Sequence, residues 1–324
     1  MTRSEAPLFD DMVGVPKGGR AYWLRASDGV RIRVAIWRPD GTARGTVLMF
    51  PGRTEYIEKY GMLAETFAER GFATLIIDWR GQGLSDRLLD DVRLGHVDVF
   101  SDYHRDIAAA MRLARDVDLP RPFHMIGHSM GGGIGLRAVM EGLPVQSCVF
   151  TGPMWGIYMS PALKPFGWAL SHVAPMVGMG SRLPPTTRYE SYVLAQEFDG
   201  NSLTTDPEMY RLMQDQMKAH PELGIGGPTL VWLRESLMEC RALSRRASPD
   251  IPCITFLGAG ESIVDCDAVR SRMDRWPRGQ LEVIDGARHE VLMETPEIRG
   301  HVFDRIEHLF NTGDVRERDT AVSA

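Results

Sequence analysis

The stretch Phe123-His124-Met125-Ile126-Gly127-His128-Ser129-Met130-Gly131-Gly132 passes from an apolar segment of strand type into a helical pattern, and the join reads G-x-S-x-G. A serine on such a strained strand-to-helix turn is a nucleophile elbow. The backbone folds so sharply there that a Cβ at Gly127 or Gly131 would strike its neighbours. Ser129 Oγ is then presented to a crevice. The backbone N–H of Met130, at the positive end of the following helix, is aimed at a developing oxyanion. The bland alternative is a glycine-rich helix start with an incidental serine.

Attack by a serine hydroxyl requires a neutral imidazole beside it, and on a strand-turn-helix scaffold the chain order is serine, acid, histidine. Nine histidines compete. His289, in Ile284-Asp285-Gly286-Ala287-Arg288-His289-Glu290, stands just past the last strand pattern, where a loop returns it over the carboxyl edge of a sheet. His128 adjoins the nucleophile but points away in an elbow. His96, His124 and His220 precede the acid region, and His301 and His308 fall on a terminal helix. For the acid, Cys253–Gly258 reads as a buried strand followed by Ala259-Gly260-Glu261-Ser262-Ile263-Val264-Asp265. The group that orients imidazole Nδ1 should stand just beyond the strand, which favours Glu261. Asp265 is the alternative; its plain role is to cap the helical segment Ala268 to Trp276.

A second oxyanion donor is expected from the backbone N–H of Arg53, in Met49-Phe50-Pro51-Gly52-Arg53-Thr54-Glu55. Its guanidinium pairs with Glu55, meets an anionic head group, or is simply solvated. Asp78-Trp79-Arg80-Gly81-Gln82-Gly83-Leu84-Ser85 is too short for a dinucleotide fingerprint and lacks the lysine of a phosphate loop, so it reads as a brace beside the site.

These residues need a scaffold. Strand-like runs occupy Ala21 to Ala26, Val30 to Trp37, Thr46 to Pro51, Ala73 to Asp78, Phe123 to His128, Cys148 to Thr151, Pro252 to Gly258 and Leu281 to Asp285. The first two are joined by the turn Ser27-Asp28-Gly29. Helical patterns at Glu58 to Arg70, Asp102 to Asp116 and Ile134 to Glu141 separate later ones. The expected fold is α/β: about eight mostly parallel strands with helices on both faces and the ligand crevice at the strands' carboxyl ends. From Gly152 to about Pro228 the alternation stops and Met, Pro, Trp and Tyr accumulate. This reads as a mainly helical cap whose apolar faces greet an acyl chain; packing onto the sheet edge is the plainer role for the same residues. The expected division is 1–151, first part of the core; 152–228, cap; 229–312, second part of the core; and 313–324, a flexible tail.

The composition is that of a globular chain. The 324 residues include 44% hydrophobic and 25% charged residues, enough for a large core and too ordered for wholesale disorder. A net charge of -6 offers no attraction for phosphate backbones, which sets nucleic acid aside as a partner. Cys148, Cys240, Cys253 and Cys266 form no CxxC pair and read as reduced thiols. The opening residues lack a signal-like apolar run, so a soluble, cytoplasmic protein is expected.

PGRTE at 51–55, DWRGQGLSD at 78–86, GHVDVFSDY at 95–103, GHSMGG at 127–132, GGPTLVWLRES at 226–236 and GARHE at 286–290 together resemble one branch of the α/β-hydrolases. That branch is the monoacylglycerol lipase and bacterial lysophospholipase L2 family. The resemblance implies an α/β-hydrolase fold and a triad of Ser129, Glu261 and His289. The family usually carries Asp at the Glu261 position, which keeps Asp265 in contention. It further implies hydrolysis of carboxylic esters of single-chain lipids, lysophospholipid or monoacylglycerol, through an acyl-enzyme, with no metal or cofactor and with transient contact at a membrane surface through the cap. The alternatives are a general carboxylesterase of small acyl esters, a serine peptidase or perhydrolase using the same triad, and a non-catalytic binding protein of the same fold.

Overall fold

The computed structural model describes residues 3–185 and 187–315. Its strands are β1 (Ser4–Ala6), β2 (Arg20–Arg25), β3 (Arg31–Trp37), β4 (Gly45–Phe50), β5 (Phe72–Asp78), β6 (Phe123–His128), β7 (Ser147–Thr151), β8 (Cys253–Gly258) and β9 (Gly279–Ile284). They form one sheet in the order β1-β2-β3-β5-β4-β6-β7-β8-β9. Pairing is antiparallel from β1 to β5 across β2 and β3, and parallel from β5 through β9.

The sheet has nine strands where the sequence leads one to expect about eight. The extra one, β1, is three largely exposed residues, Ser-Glu-Ala, and exists only through its pairing with β2. Every residue of β4 to β8 is buried, as required of parallel strands covered on both faces. One face packs under α2 (Tyr103–Asp116), α3 (Ser129–Met140), α7 (Leu230–Ser244) and α8 (Cys266–Met273). The other packs under α1 (Gly61–Glu69) and α9 (Pro296–Thr312). The strand order turns one way from β4 to β5 and the other way from β4 to β6, so the loops leaving β4 and β6 open onto one crevice.

Two helix boundaries depart from the sequence pattern. The expected helix at Glu58 to Arg70 is a short 3-10 turn, Ile57–Tyr60, running into α1. Helix α3 starts at Ser129, not at Ile134. Glycine is a poor helix former, but here it admits close contacts: a Cβ at Gly131 would lie 2.0 Å from Phe50 O, and one at Gly132 would lie 2.6 Å from Pro153 Cβ. Tertiary packing thus outweighs local propensity.

Between β7 and α7 the described chain forms α4 (Lys164–Met176), α5 (Tyr192–Ala195) and α6 (Pro207–Ala219). Helix α4 packs on α7 and α5 on α6. Asp206 caps α6 by accepting from the amides of Glu208 and Met209. Only Ser171 and Ala174 of α4 are buried, whereas Leu163, Phe166, Val173, Met176 and Val177 recur at helical spacing on its exposed side. Among the described residues no helix is long and apolar enough to cross a membrane. Of the expected tail at 313–324, residues 316–324 lie outside the described residues; Val315 O accepts from Arg305 Nη2 at 2.7 Å.

Candidate active site

The elbow is strained as its glycines require. Ser129 has φ 49°, in the left-handed region, and opens α3 directly after β6. A Cβ at Gly127 would lie 2.9 Å from Gly131 O. The close approach of Gly131 to Phe50 sets the start of α3 against the end of β4, from which the loop carrying Arg53 departs. Among the described residues neither the Arg53 nor the Met130 amide donates a hydrogen bond.

The Arg53 loop is held from below. Trp79 Nε1 donates to Pro51 O at 2.9 Å, and Gln82 Nε2 donates to Gly52 O at 2.8 Å and to Glu55 O at 3.1 Å. The segment Asp78 to Ser85 therefore does brace the site. The Arg53 guanidinium does not pair with Glu55; it donates from Nη1 to Gly226 O at 2.8 Å and lies 5.7 Å from the centroid of the Trp232 ring.

His289 and Glu261 arrive on two loops fastened to each other. Gly260 N donates to Ala287 O at 2.9 Å, and Ala259 N donates to Ile284 O at 2.9 Å. Glu261 Oε2 accepts from His289 Nδ1 at 2.6 Å, with both side chains almost wholly buried. Its other oxygen, Oε1, accepts from the amides of Ile263 (2.7 Å) and Val264 (3.2 Å). Burial alone would raise the Glu261 carboxyl, but the imidazole and the two amides outweigh it and hold it below the ordinary carboxylate range. Asp265 stands apart. Its Oδ1 accepts from Ala268 N at 3.2 Å and caps α8.

Ser129 and His289 line one cavity of about 310 Å³, together with Arg53. Tyr192, Val193, Leu203, Met213, Met217 and Ile263 supply much of its apolar wall. The far wall comes from the segment between β7 and α7, which clamps the histidine loop: Glu290 N donates to Leu203 O at 2.8 Å, and Arg288 Nη1 donates to Thr204 O at 3.0 Å.

Two features of the site escape a sequence reading. Gly152, at the end of β7 with φ 47°, faces the histidine, so a Cβ there would lie 2.9 Å from His289 Nδ1 and 3.1 Å from Glu261 Oε2. Beneath the histidine lies a buried charge cluster. Lys59 Nζ donates to Glu55 Oε1 at 2.5 Å and to Glu290 Oε1 at 2.6 Å, and His128 Nε2 lies 3.3 Å from Glu290 Oε2. His128 Nδ1 meets Thr151 Oγ1 at 2.9 Å, and the ring centroid lies 4.8 Å from that of His289. Glu55, His128 and Glu290 are grouped as metal ligands are, but the Lys59 ammonium already bridges the two carboxylates. The only local signal for this cluster is the Glu55 and Lys59 spacing of four residues.

A mostly parallel sheet with its crevice at the β4 and β6 switch, an elbow serine and a histidine and carboxylate on the last two loops define an α/β-hydrolase. Residues 41–296 match the family described as "Serine aminopeptidase, S33", and the chain belongs to that family. It is 32% identical to lysophospholipase L2 of Escherichia coli (strain K12) over 297 residues, covering 88% of this chain and 85% of that one. It is 26% identical to the monoacylglycerol lipase of Mycolicibacterium smegmatis, covering 82% and 88% of the two chains. Among solved structures, a soluble variant of monoglyceride lipase from Saccharomyces cerevisiae in complex with a substrate analog superposes with a TM-score of 0.71 at 19% identity, covering 90% of this chain and 95% of that one. A carboxyl esterase from Bacillus coagulans gives 0.72 at 16%, covering 91% and 99%. At these identities the two structures speak for the fold.

Proposed function

We propose that this protein is a serine carboxylic-ester hydrolase that cleaves the single acyl ester of lysophospholipids or monoacylglycerols. The observation that carries the reading is Ser129, strained at φ 49° and opening on the same cavity as a histidine that is bonded to a buried carboxylate. Family membership and the lysophospholipase and monoacylglycerol lipase relatives support the ester and the single-chain lipid.

In this reading His289 takes the proton of Ser129 as Oγ bonds to the acyl carbon, and Glu261 steadies the imidazolium. The carbonyl oxygen becomes an oxyanion on the amides of Arg53 and Met130, each worth roughly 3 kcal/mol in the transition state. Collapse breaks the ester C–O bond, and His289 returns its proton to the departing alcohol. Water, deprotonated in turn by His289, then releases the fatty acid. The apolar wall contributes about 0.8 kcal/mol of binding for each methylene it covers.

The segment 152–228 acts as a cap on a core made of 1–151 and 229–312. The exposed apolar stripe on α4, with Met176 84% and Phe166 58% exposed, suits transient contact with a membrane surface. The working place of the protein is then the cytoplasm, with excursions to lipid.

The test is a panel of lysophospholipids, monoacylglycerols and p-nitrophenyl esters assayed with the wild type and Ser129→Ala, alongside labelling by a fluorophosphonate. Single-chain lipid esters should be turned over and Ser129 labelled. Full activity in Ser129→Ala, or labelling at another residue, removes the proposal.

A further inference from the structure

Arg53 differs from the ion-paired arginines of this molecule. The buried arginines Arg33, Arg80 and Arg305 each pair with carboxylates: Arg33 with Glu58 and Asp78, Arg80 with Asp28 and Asp106, and Arg305 with Glu282. Buried Arg272 donates to Leu243 O, Arg246 O and Ser248 Oγ. Half-buried Arg53 forms no ion pair among the described residues and donates one hydrogen bond, to Gly226 O. Its other guanidinium nitrogens are not sealed from solvent, so they can meet a ligand that enters beside them. Burial pulls its pKa down to about 10, which still leaves it cationic at neutral pH.

Its position is equally specific. Arg53, Thr54 and Tyr192 line both the cavity of Ser129 and a second one of about 270 Å³, whose wall also includes Arg188, Glu190 and Gly226. Gly226 is fixed there because the 188–189 backbone crosses it, so a Cβ would lie 2.5 Å from Tyr189 O. Gly227 N donates to Arg188 O at 2.7 Å, which ties the GGPT segment to the arginine at the cavity rim. A ligand with its ester at Ser129 and its tail on the apolar wall would thus extend its polar end past Arg53 into the second cavity.

We propose that this second cavity is a head-group subsite in which the Arg53 guanidinium, with Arg188 at the rim, holds the phosphodiester of a lysophospholipid. The planar fork of arginine matches phosphate oxygens two at a time, and the Trp232 face steadies the cation when the site is empty. Glu190 on the same wall disfavours a simple anion and suits the ammonium of an ethanolamine head group, so a zwitterionic phosphodiester fits the whole set. The inference rests on the ester-hydrolase reading and deepens it: it makes lysophospholipid, and not neutral monoacylglycerol, the preferred substrate.

The experiment compares kcat/KM for oleoyl lysophosphatidylethanolamine and monooleoylglycerol, presented in the same detergent micelles, in the wild type, Arg53→Gln, Arg53→Lys and Arg188→Gln. The readout is the ratio of the two substrates, which a general loss at the oxyanion loop leaves unmoved. Losing a charged phosphate contact should lower that ratio about 10- to 100-fold in Arg53→Gln, with partial retention in Arg53→Lys and a smaller loss in Arg188→Gln. As a second readout, glycerophosphoethanolamine should inhibit hydrolysis of p-nitrophenyl butyrate by the wild type but not by Arg53→Gln, whereas glycerol should inhibit neither. An unchanged ratio in Arg53→Gln and Arg188→Gln, or equal inhibition of wild type and variants, overturns the subsite and leaves the hydrolase reading intact. Failure of the wild type to hydrolyse either lipid ester overturns the reading on which it rests.

Discussion

Glu261 Oε2 lies 2.6 Å from His289 Nδ1, although the two residues are separated by α8 and β9. Asp265, four residues further along, spends its carboxylate on the first turn of α8. Glu261→Gln should lower kcat by roughly 10³- to 10⁴-fold, because an amide no longer steadies the imidazolium. Asp265→Ala should keep kcat and lose about 1 kcal/mol of stability with the cap. Steady-state kinetics and urea denaturation of the two variants separate the roles; the reverse pattern would make Asp265 the acid.

Gly152→Ala tests how closely the histidine is held. A methyl group at that point would lie 2.9 Å from His289 Nδ1, and displacing a reacting group by an ångström costs on the order of 10²-fold in rate. The loss should fall on kcat, with KM little changed. Gly142→Ala is the control: it has a comparable left-handed φ of 88° and nothing within 4 Å, so it carries backbone strain without touching the site. Equal rate losses in both variants would mean that strain alone is responsible.

Lys59 neutralises Glu55 and Glu290, and all three side chains are buried. Lys59→Met should destabilise the fold by about 3–5 kcal/mol, since it leaves two buried carboxylates to share the His128 imidazole alone among the described cations near them. Urea denaturation checks this, and a loss below about 1 kcal/mol, the scale of an exposed pair, would contradict it.

The same cluster makes stability depend on pH. Burial alone would lower the His128 imidazole, but Glu290 and Glu55 hold it above its ordinary value of 6.5. Its contribution is complete below that unfolded value and is lost as pH rises through the higher folded value. Glu290 has the opposite sign. Against burial, His128 and Lys59 hold its carboxyl well below 4.5, so its contribution is present above 4.5 and is lost as pH falls through the depressed folded value. Melting temperature should therefore decline on the alkaline side of the His128 titration, and His128→Gln should flatten that decline. An identical alkaline slope in the variant would assign the titration to another group.

For the α4 stripe, Phe166→Glu combined with Met176→Glu should reduce hydrolysis of ester presented in anionic vesicles several-fold while sparing soluble p-nitrophenyl butyrate. Neither residue is buried, so the fold should persist. Equal effects on both substrates would argue against surface docking.

Several elements are legible in the chain itself because their cause is local. The run Phe123–His128 is β6 to the residue, since a strand buried on both faces has no solvent-facing position to blur its limits. The elbow is legible because its strain demands Gly127 and Gly131. By contrast β1 has no local cause at all, and α3 begins five residues earlier than propensity suggests because the end of β4 and Pro153 pack against its glycines.

Composition, periodicity and the G-x-S-x-G turn were thus enough to determine the α/β layers and to single out Ser129 as the candidate nucleophile. Only the tertiary structure decided which of two nearby carboxylates meets His289, why Gly152 stays bare, and how Glu55, Lys59, His128 and Glu290 come to share one buried cluster. Strand and turn signals arise from neighbours in sequence, whereas these choices depend on distances between segments from 28 to 231 residues apart, which no local spacing encodes.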